Sequence, residues 1–557
     1  ISEALATAFE HHQAGELPQA EAIYRQVLAV DPNNPDALHL LGLIALKQGH
    51  NELAVDCIRR AIVSKPTEAP FHGNLASALK ALGKFDEAIA CYRRAIELQP
   101  DYVSAHYNLA TTLLEQRRRL EAIVVFHRVL ELKPNHVEAL NNLGNALNEL
   151  SKFDEAANFY RRVLSLQPNH ARAWCNLGTV YNDQANLDEA IACFQRVLEI
   201  EPTFAAAHCN LGNVYQQLGR FDDAFASYGA ALLHDPNCAD ASFGRSTLRL
   251  LLGDLTTGWA EYESRWGTRQ LAKHNIEEPL WDGRPLGTKT ILLQVEQGFG
   301  DILQFIRYAE LVKKRNSEAT IIVKCQPSIA NLLARSTGID RLVADSDDWP
   351  VFDVYAPLAS LPRLLQTTRN TIPTNLPYVF ADPPLVMNWR ERVGNLNGFR
   401  IGINWYSGAG QGEFRKRNIP LHFFSALTQI PATTFISLQK GPGSEQLADA
   451  NDRLSVVDLG PDFDTTHGRF MDTAAVMLSL DLIITSDTSI PHLAGALGVP
   501  VWLALPNIPD WRWLLNRSDS PWYPTMRLFR QKTAGDWTSV FSEIEIALRD
   551  MINGSRR

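Results

Sequence analysis

The 557-residue sequence lacks several features that would place it in a familiar class. It has no apolar run near the ~20 residues of a membrane-spanning helix, and its first residues, Ile1 to Leu5, lack the basic and apolar zones of a signal peptide. Its seven cysteines form no Cys-x-x-Cys motif, and several recur at matching positions of a repeat, as Cys57 and Cys91 do. We therefore expect a cytoplasmic protein without an integral membrane segment, whose cysteines are small buried apolar residues in a reducing compartment.

The sequence also lacks a basic block of the kind that binds nucleic acids. Its formal net charge is −9, with 62 acidic against 53 basic side chains. This balance argues against general nucleic-acid binding. The apolar content is that of a globular protein, so a chain of this length is expected to form several domains with sizeable cores.

A 34-residue period dominates the first half of the chain. In register with it run an alanine series from Ala20 to Ala224, a mostly aromatic series from Tyr24 to Tyr228, and a leucine series. Each unit is predicted to be two amphipathic helices that meet through small residues, with a proline after the second helix. The prolines stand at positions 32, 66, 100, 134, 168, 202 and 236.

These positions match the tetratricopeptide repeat pattern. The resemblance implies about seven helical hairpins in a right-handed superhelix over residues 1–238. A degenerate capping repeat and a linker are expected over residues 239–287. The fold class predicted for the whole chain is therefore an α-superhelix followed by an α/β region.

One series in the array is polar and bears on function. An asparagine recurs at the same place in the first helix of five successive units: Asn74, Asn108, Asn142, Asn176 and Asn210. On a concave face, these amides would bind the main chain of an extended polypeptide, since an amide both donates and accepts hydrogen bonds. Alternatively, each amide bonds the neighbouring helix. The series resembles the asparagine ladder of the protein O-GlcNAc transferases, which also join such repeats to a C-terminal transferase.

From about residue 288, strand and helix patterns alternate. Residues 288–384 and 385–557 are expected to form two Rossmann-like lobes, with a proline-rich linker at 372–384. Two such lobes facing one another across a cleft form the GT-B architecture. The first lobe would be the acceptor side and the second the donor side, and a C-terminal helix is predicted over about 537–551.

The segment 482–505 is predicted to be one strand, turn, helix and strand of a parallel sheet. Its first apolar run ends at Asp487, Thr488 and Ser489, and Gly498 ends the helix that follows. The polar turn would then lie at the carboxyl edge of the sheet, where such sheets bind ligands. Backbone N–H groups, hydroxyls, a helix dipole and His492 are a set suited to a diphosphate.

Two motifs carry a more specific family resemblance. Gly298-Phe-Gly-Asp301 and the segment from Asp487 to Pro500 resemble the two signatures of the heptosyltransferase family of glycosyltransferases, which use nucleotide-activated sugars. The resemblance covers about residues 288–545. It implies that Asp301 faces the donor from the first lobe and that the diphosphate lies on four residues of the second lobe: Thr488, Ser489, Ile490 and His492.

The chemistry of sugar transfer assigns roles to these residues. An acceptor hydroxyl needs a base, and the departing diphosphate needs a partner for its negative charge. Asp301 is the candidate base, and its place at a helix N-terminus predicts a low pKa; it can equally cap that helix. His492 and the amides of 488–490 are candidates for the leaving group, although a lone histidine in a buried helix is commonly structural. Ser489 suits an N-cap as well as a ligand, and Asp487 is expected to orient the turn.

Positive charge for the donor is expected from two loops of the second lobe. Arg417 falls where the heptosyltransferases place a donor-binding basic residue. It follows Arg415 and Lys416, so the alternative is that Arg417 belongs to a solvated run of charges. Lys416 is less favoured than Arg417 as a donor-binding residue. Ser407 is a candidate phosphate hydroxyl, and Lys440 is a candidate contact for phosphate or ribose.

Two further patterns are interpreted as structural. The aromatic residues at 511, 513, 522 and 523 are expected to pack in the core or between the lobes rather than on a ligand. Asp345-Ser-Asp347 is similar to the short acidic motif of metal-dependent sugar transferases but is interpreted as a solvated turn. We predict neither a metal site nor a cofactor, because helix dipoles and basic side chains can replace a cation.

Three functions remain in view. The leading one is a glycosyltransferase that moves a sugar from a nucleotide sugar to a hydroxyl, on a protein recruited by the array. The second is transfer to a glycan or lipid-linked saccharide, with the repeats docking partner proteins; the third is a non-catalytic scaffold. The acceptor stays open, since heptosyltransferases do not generally carry such repeats. The nucleotide and the sugar stay open, since nothing in the sequence identifies the base of the donor.

Overall fold

A computed structural model describes residues 1–268, 276–296, 298–346, 348–408, 416–449 and 454–555. The chain divides into two compact units, residues 1–202 and residues 203–557. The division falls inside the repeat array, so the second unit contains the last repeats together with the α/β region.

The first unit consists of six helical hairpins. Its twelve helices are α1 Ser2–Gln13, α2 Leu17–Val30, α3 Pro35–Lys47, α4 Asn51–Ser64, α5 Ala69–Ala81, α6 Phe85–Leu98, α7 Val103–Glu115, α8 Arg119–Leu132, α9 Val137–Glu149, α10 Phe153–Leu166, α11 Ala171–Asp183 and α12 Leu187–Ile200. Each repeated proline stands one residue beyond the cap of a second helix, as Pro168 does after Gln167. The tetratricopeptide array predicted from the 34-residue period is therefore confirmed.

Small residues let the two helices of a hairpin approach closely. The alanines of the in-register series are fully buried, as Ala156 is in α10. Gly144 of α9 lies against the ring of Tyr160, and Gly178 of α11 lies against the ring of Phe194. A Cβ atom at Gly178 would be 2.7 Å from Cε1 of Phe194, so the glycine is required by packing.

The second unit begins with two more hairpins. The seventh is α13 Ala205–Gln217 with α14 Phe221–His234, and the degenerate eighth is α15 Ala239–Leu252 with α16 Leu255–Tyr262. A short 3-10 turn, Glu263–Gly267, follows α16. The described part of the array thus has sixteen helices.

A four-stranded parallel sheet follows, in the order β3-β2-β1-β4. Its strands are β1 Thr290–Gln294, β2 Thr320–Cys325, β3 Arg341–Ala344 and β4 Val354–Pro357. Its helices are α17 Phe299–Phe305, α18 Arg307–Arg315, α19 Pro327–Leu333 and α20 Leu361–Leu364. Two helices, α17 and α18, follow β1 and are separated at Ile306.

The second sheet has six parallel strands in the order β10-β9-β8-β5-β6-β7. They are β5 Phe399–Asn404, β6 Thr433–Ser437, β7 Val456–Val457, β8 Leu482–Thr485, β9 Val501–Leu505 and β10 Met526–Arg530. The helices of this part are α21 Pro383–Gly394, α22 Ser425–Thr428, α23 Glu445–Asp449, α24 Met471–Met477, α25 Ser489–Leu497 and α26 Trp537–Ser555. The helix α25 is buried along almost its whole length and packs against α17, which brings the turn after β1 and the turn after β8 together.

The glycine contacts predict opposite stability effects for two glycine-to-alanine changes in the array. Gly178→Ala forces a methyl group into the ring of Phe194, and we expect a loss of about 1–3 kcal/mol. Gly229→Ala in α14 meets no atom within 4 Å, so helix propensity should stabilise the protein by about 0.5–1 kcal/mol. Thermal melting followed by circular dichroism measures both. Equal shifts of the two variants would contradict the packing role of Gly178.

Candidate functional site

The candidate site lies where β8 runs into α25 at the carboxyl edge of the second sheet. Thr488 is the N-cap of α25: its hydroxyl accepts a hydrogen bond from the N–H of Ile490 at 3.1 Å. The N-cap role that the sequence allowed for Ser489 therefore belongs to Thr488. Ser489 is the first helical residue, half-buried, and its hydroxyl has no hydrogen-bond partner among the described residues.

Two buried amides hold the neighbouring loops in place. The hydroxyl of Thr488 donates to Oδ1 of Asn404 at 3.0 Å, and the amide nitrogen of Asn404 donates to Gln439 at 2.7 Å. Gln439 also accepts a hydrogen bond from the N–H of Tyr406 and donates to the carbonyl of Pro442. Three strand ends, those of β5, β6 and β8, are thus joined in one hydrogen-bonded network.

The first sheet contributes Asp301 from the first turn of α17. The preceding residue, Gly300, lies against His492: a Cβ atom there would be 3.1 Å from Cδ2 of the imidazole. The two sequence motifs begin 189 positions apart in the chain, at Gly298 and Asp487, and the contact of α17 with α25 brings them together. The glycine of the first motif is needed for this approach.

His492 is a buried histidine with defined neighbours. It is 4% exposed, its Nδ1 lies 2.9 Å from the hydroxyl of Tyr523, and its ring stacks on Trp513 at 5.1 Å between centroids. Burial, and secondarily the charge of Arg512, hold its pKa well below the usual value. His492 is therefore neutral at pH 7.

Five charged side chains form what we call the Asp–Arg cluster: Asp301, Arg417, Asp487, Asp510 and Arg512. Arg512 joins the two sheets, since it donates to Asp301 on α17 and, at 2.8 Å, to Asp510 in its own loop. Arg417 lies 3.1 Å from Asp510 and 3.5 Å from Asp487. With every member ionised, the cluster carries three negative and two positive charges.

Burial and the two guanidinium groups move the carboxylate pKa values apart. Burial raises the pKa of Asp301, although Arg512 opposes the rise. Burial likewise raises the pKa of Asp487, against Arg417. For Asp510, burial is outweighed by Arg512 and Arg417, and its pKa falls to about 2. The low pKa that we predicted for Asp301 from its helix N-terminus is therefore wrong, because desolvation dominates.

The other predicted donor contacts have partners within the protein. The N–H and hydroxyl groups of Ser407 both donate to Asn418 at 2.8 Å. Lys440 is exposed and donates to the carbonyl of Pro461, and Lys416 donates to Gln217 of α13 at 2.6 Å. The roles in donor binding that we predicted for Ser407, Lys416 and Lys440 stay predictions. Arg415 in the basic run and Asp347 in the acidic turn lie outside the described residues.

Several residues of the site escaped the sequence reasoning. Arg512 and Asp510 stand in a segment that we interpreted only by its aromatic rings, and Gln304 and Arg307 lie in α17 and α18, for which we predicted no role beyond that of Asp301. Arg307 is buried and donates to Tyr378 and to the carbonyl of Trp522, behind Tyr523. The sequence did contain a signal for Arg512: it stands between Trp511 and Trp513, and an arginine flanked by tryptophans is poorly suited to a position in solvent.

Three buried polar atoms on segments near the site are unpaired among the described residues. The buried Nε2 of Gln304, the Oγ of Ser486 and the Nε1 of Trp405 have no hydrogen-bond partner among the described residues. Buried polar groups are nearly always paired in proteins.

The aromatic residues pack as predicted. Trp511 contacts Trp259 of α16 at 5.2 Å and Phe305 of α17 at 6.4 Å between ring centroids, and Trp522 lies in the same group. These rings join the degenerate repeat to both sheets. They also form the wall against which Arg512 stacks, 4.2 Å from the ring of Trp511.

The asparagine ladder has its own geometry in the first unit. The amide nitrogen of Asn74 lies 2.8 Å from His39, that of Asn142 donates to Tyr107, and that of Asn176 donates to Asn141 and Asn145. These partners belong to the preceding hairpin, as the structural alternative expected. The side-chain carbonyl oxygens of these three asparagines accept no hydrogen bond from the described residues.

The described residues include neither a metal-binding cluster nor a membrane-spanning helix. Within the described ranges, no group of three or more His, Cys, Asp or Glu side chains could hold a metal ion. None of the helices in the described ranges has the length and apolar character to cross a membrane.

Comparison with known families supports the array. Profiles described as TPR repeat or tetratricopeptide repeat match residues 10–49, 35–67, 76–116, 103–136, 137–170, 159–192, 178–219 and 205–238. The matches lie within α1 to α14. Arrays of this kind dock partner proteins.

Protein FlbA of Caulobacter vibrioides is a relative of this chain. It is 27% identical over 327 residues, which amount to 55% of this chain and 54% of FlbA. The chain thus spans about half the length of that relative.

Among solved structures, the array is similar to YrrB, a TPR protein with an unusual peptide-binding site. The two are 24% identical, with a TM-score of 0.30, over 34% of this chain and 97% of YrrB. A TPR repeat-containing protein of Cytophaga hutchinsonii is 14% identical, with a TM-score of 0.37, over 43% of this chain and 98% of the other.

The buried state of His492 predicts a pH dependence of stability. Its folded pKa lies well below 6.5, so the unfolded chain binds more protons and stability is lost as the pH falls below 6.5. We expect the melting temperature to drop between pH 7 and pH 5. His492→Gln removes a contribution of about 1.4 kcal/mol per pH unit, so its drop should be smaller. Parallel pH profiles of the two proteins would contradict the assignment.

Proposed function

We propose that the chain is a glycosyltransferase of GT-B architecture, which moves a sugar from a nucleotide sugar to an acceptor hydroxyl. The observation that carries the proposal is the meeting of the two motifs: Asp301 and the turn Thr488–His492 share one site with Arg417 and Arg512. A base, a helix N-terminus and two guanidinium groups are the parts that such a transfer needs.

The donor diphosphate would bind at the first turn of α25. The hydroxyl of Ser489 and the helix N-terminus face such an anion, while Thr488 and Asn404 hold the turn. The guanidinium of Arg417, at the edge of the same turn, would pair with the phosphates. Asp487 is buried behind Arg417 and orients it, as its 3.5 Å ion pair supports.

Donor binding would redistribute the contacts of the Asp–Arg cluster. A diphosphate competes with the carboxylates for Arg417 and Arg512, because phosphate and carboxylate both suit the guanidinium fork. Asp301 would then lose part of its pairing with Arg512 and accept the proton of the acceptor hydroxyl. Its raised pKa makes it a stronger base than an exposed aspartate.

Neutral His492 would act in this scheme as a hydrogen-bonding group. Its Nδ1 is hydrogen-bonded to the hydroxyl of Tyr523. Its Cδ2 and Nε2 are the ring atoms nearest to Gly300, the neighbour of Asp301. An N–H at Nε2 would bond an oxygen of the departing diphosphate without bringing a charge. Arg307 and Trp513 fix the ring through Tyr523 and by stacking.

The acceptor is proposed to be a protein docked on the array. The open carbonyl oxygens of Asn74, Asn142 and Asn176 would accept N–H groups of an extended main chain. The junction with the site is direct in the second unit, where Gln217 of α13 contacts Lys416, the neighbour of Arg417.

A panel of UDP-, GDP- and ADP-sugars tests the donor site. We expect one of them to raise the melting temperature and to release its nucleotide slowly in the presence of the protein. Arg417→Ala removes a charged contact, so donor affinity should fall by about 10–100-fold. Arg549→Ala, which removes a surface ion pair on α26, is the matched control and should bind normally.

A second variant separates binding from chemistry in the same assay. Asp301→Asn should retain donor binding and slow the transfer by about 100-fold or more. If no nucleotide binds, or if Arg417→Ala and His492→Ala bind it as the parent does, the proposal is wrong.

The ladder is tested with three consecutive changes in the first unit, Asn108→Ala, Asn142→Ala and Asn176→Ala together. Transfer to protein acceptors should weaken by about tenfold or more, while hydrolysis of the donor without acceptor is spared. Asn169→Ala, an exposed asparagine outside the ladder, is the control. Equal loss of both reactions would assign the asparagines to stability alone.

A further inference from the structure

A second polar site lies at the carboxyl edge of the first sheet. Gln294 ends β1, and Lys324 stands opposite it on β2 as its register partner. Register partners on neighbouring parallel strands have side chains on one face of the sheet. The two residues are only 4% and 3% exposed, so an amide and an ammonium group stand side by side in a largely buried position.

Both side chains have unused hydrogen-bonding capacity. The amide nitrogen of Gln294 donates to the carbonyl of Val295, but its Oε1 accepts no hydrogen bond from the described residues. The ammonium of Lys324 has three donors. Its hydrogen bond is a long one, 3.4 Å to the carbonyl of Ala344, and Asp345 lies 3.9 Å away.

The rim of this site is open and aromatic. The ring of Trp349 lies 4.7 Å from the ammonium of Lys324 and is half exposed. Asp345 is also partly exposed. Trp349 and Asp345 are therefore exposed beside the nearly buried Lys324.

The chemistry of these groups selects the ligand. Lys324 and Asp345 balance in charge, which disfavours an anion and favours a neutral ligand. Hydroxyl groups both accept and donate, so they suit the ammonium of Lys324 and the free Oε1 of Gln294 at once. The apolar face of a sugar ring packs on an exposed tryptophan while its hydroxyls stay hydrogen-bonded.

We propose that Gln294, Lys324, Asp345 and Trp349 form a saccharide-binding subsite. In the glycosyltransferase proposed above, on which this part rests, it would hold a neutral sugar of the acceptor. The strand β1 that carries Gln294 leads directly to α17 and Asp301. A sugar on the acceptor then lies beside the hydroxyl that is modified, whether a protein or a free glycan carries it.

Binding of free sugars to the full chain, without nucleotide, tests the subsite. The probes are methyl glycosides of glucose, galactose, mannose, rhamnose and N-acetylglucosamine, followed by saturation-transfer NMR and calorimetry. We expect at least one to bind and its affinity to fall by about tenfold or more in Trp349→Ala and in Lys324→Met. Val351→Ala, a change at a fully exposed position of the same loop, should bind as the parent does.

Three results would overturn the subsite: no neutral glycoside binds, binding survives both changes, or glucuronate and inorganic phosphate bind in place of the glycosides. Circular dichroism melting of each variant shows that it is folded, and Trp349→Ala keeps the test valid if Lys324→Met does not fold. Because no nucleotide is present, the outcome is independent of the donor assay. Sugar binding without nucleotide binding would retain the subsite and reject the transferase.

Discussion

Three aspartates and two arginines share a region of the second unit from which water is largely excluded. Their arrangement is constrained by the high cost of a buried charge without a partner, about 3–5 kcal/mol when a buried pair loses one member. Asp510 satisfies this constraint by accepting from both Arg417 and Arg512. Arg512 in turn binds Asp301, so the pairing also holds the first turn of α17 against the second sheet. The same pairing sets the unequal carboxylate pKa values.

The last repeats are part of the structure around this cluster. Arg265, in the turn after α16, is fully buried and forms a two-pronged ion pair with Glu296 at the end of the first β-strand. Trp259 of α16 packs on Trp511, next to Arg512. The degenerate repeat is therefore a structural support of the site as well as the end of the array. Packed aromatic rings thus connect this repeat to Arg512.

Sequence periodicity was a reliable guide where the structure depends on local pattern. The 34-residue period located the helices of the array, and the strand, turn and helix at 482–497 follow from an apolar run, a polar turn and a terminal glycine. It was less reliable for helix caps and for pKa values. Thr488 rather than Ser489 caps α25, and burial rather than the helix dipole sets the pKa of Asp301. Both depend on atoms supplied by distant segments.

The sequence by itself determined the repeat array, the alternation of strands and helices, and the two motifs with Asp301 and His492. These features depend on the spacing of residues along the chain and on neighbouring residue types, which fix local conformation. Only the tertiary structure decided that Arg512 contacts Asp301, that Tyr523 is hydrogen-bonded to His492, and that Lys324 stands beside Gln294. Such contacts join residues far apart in the chain, and their energies depend on burial, which no local pattern specifies.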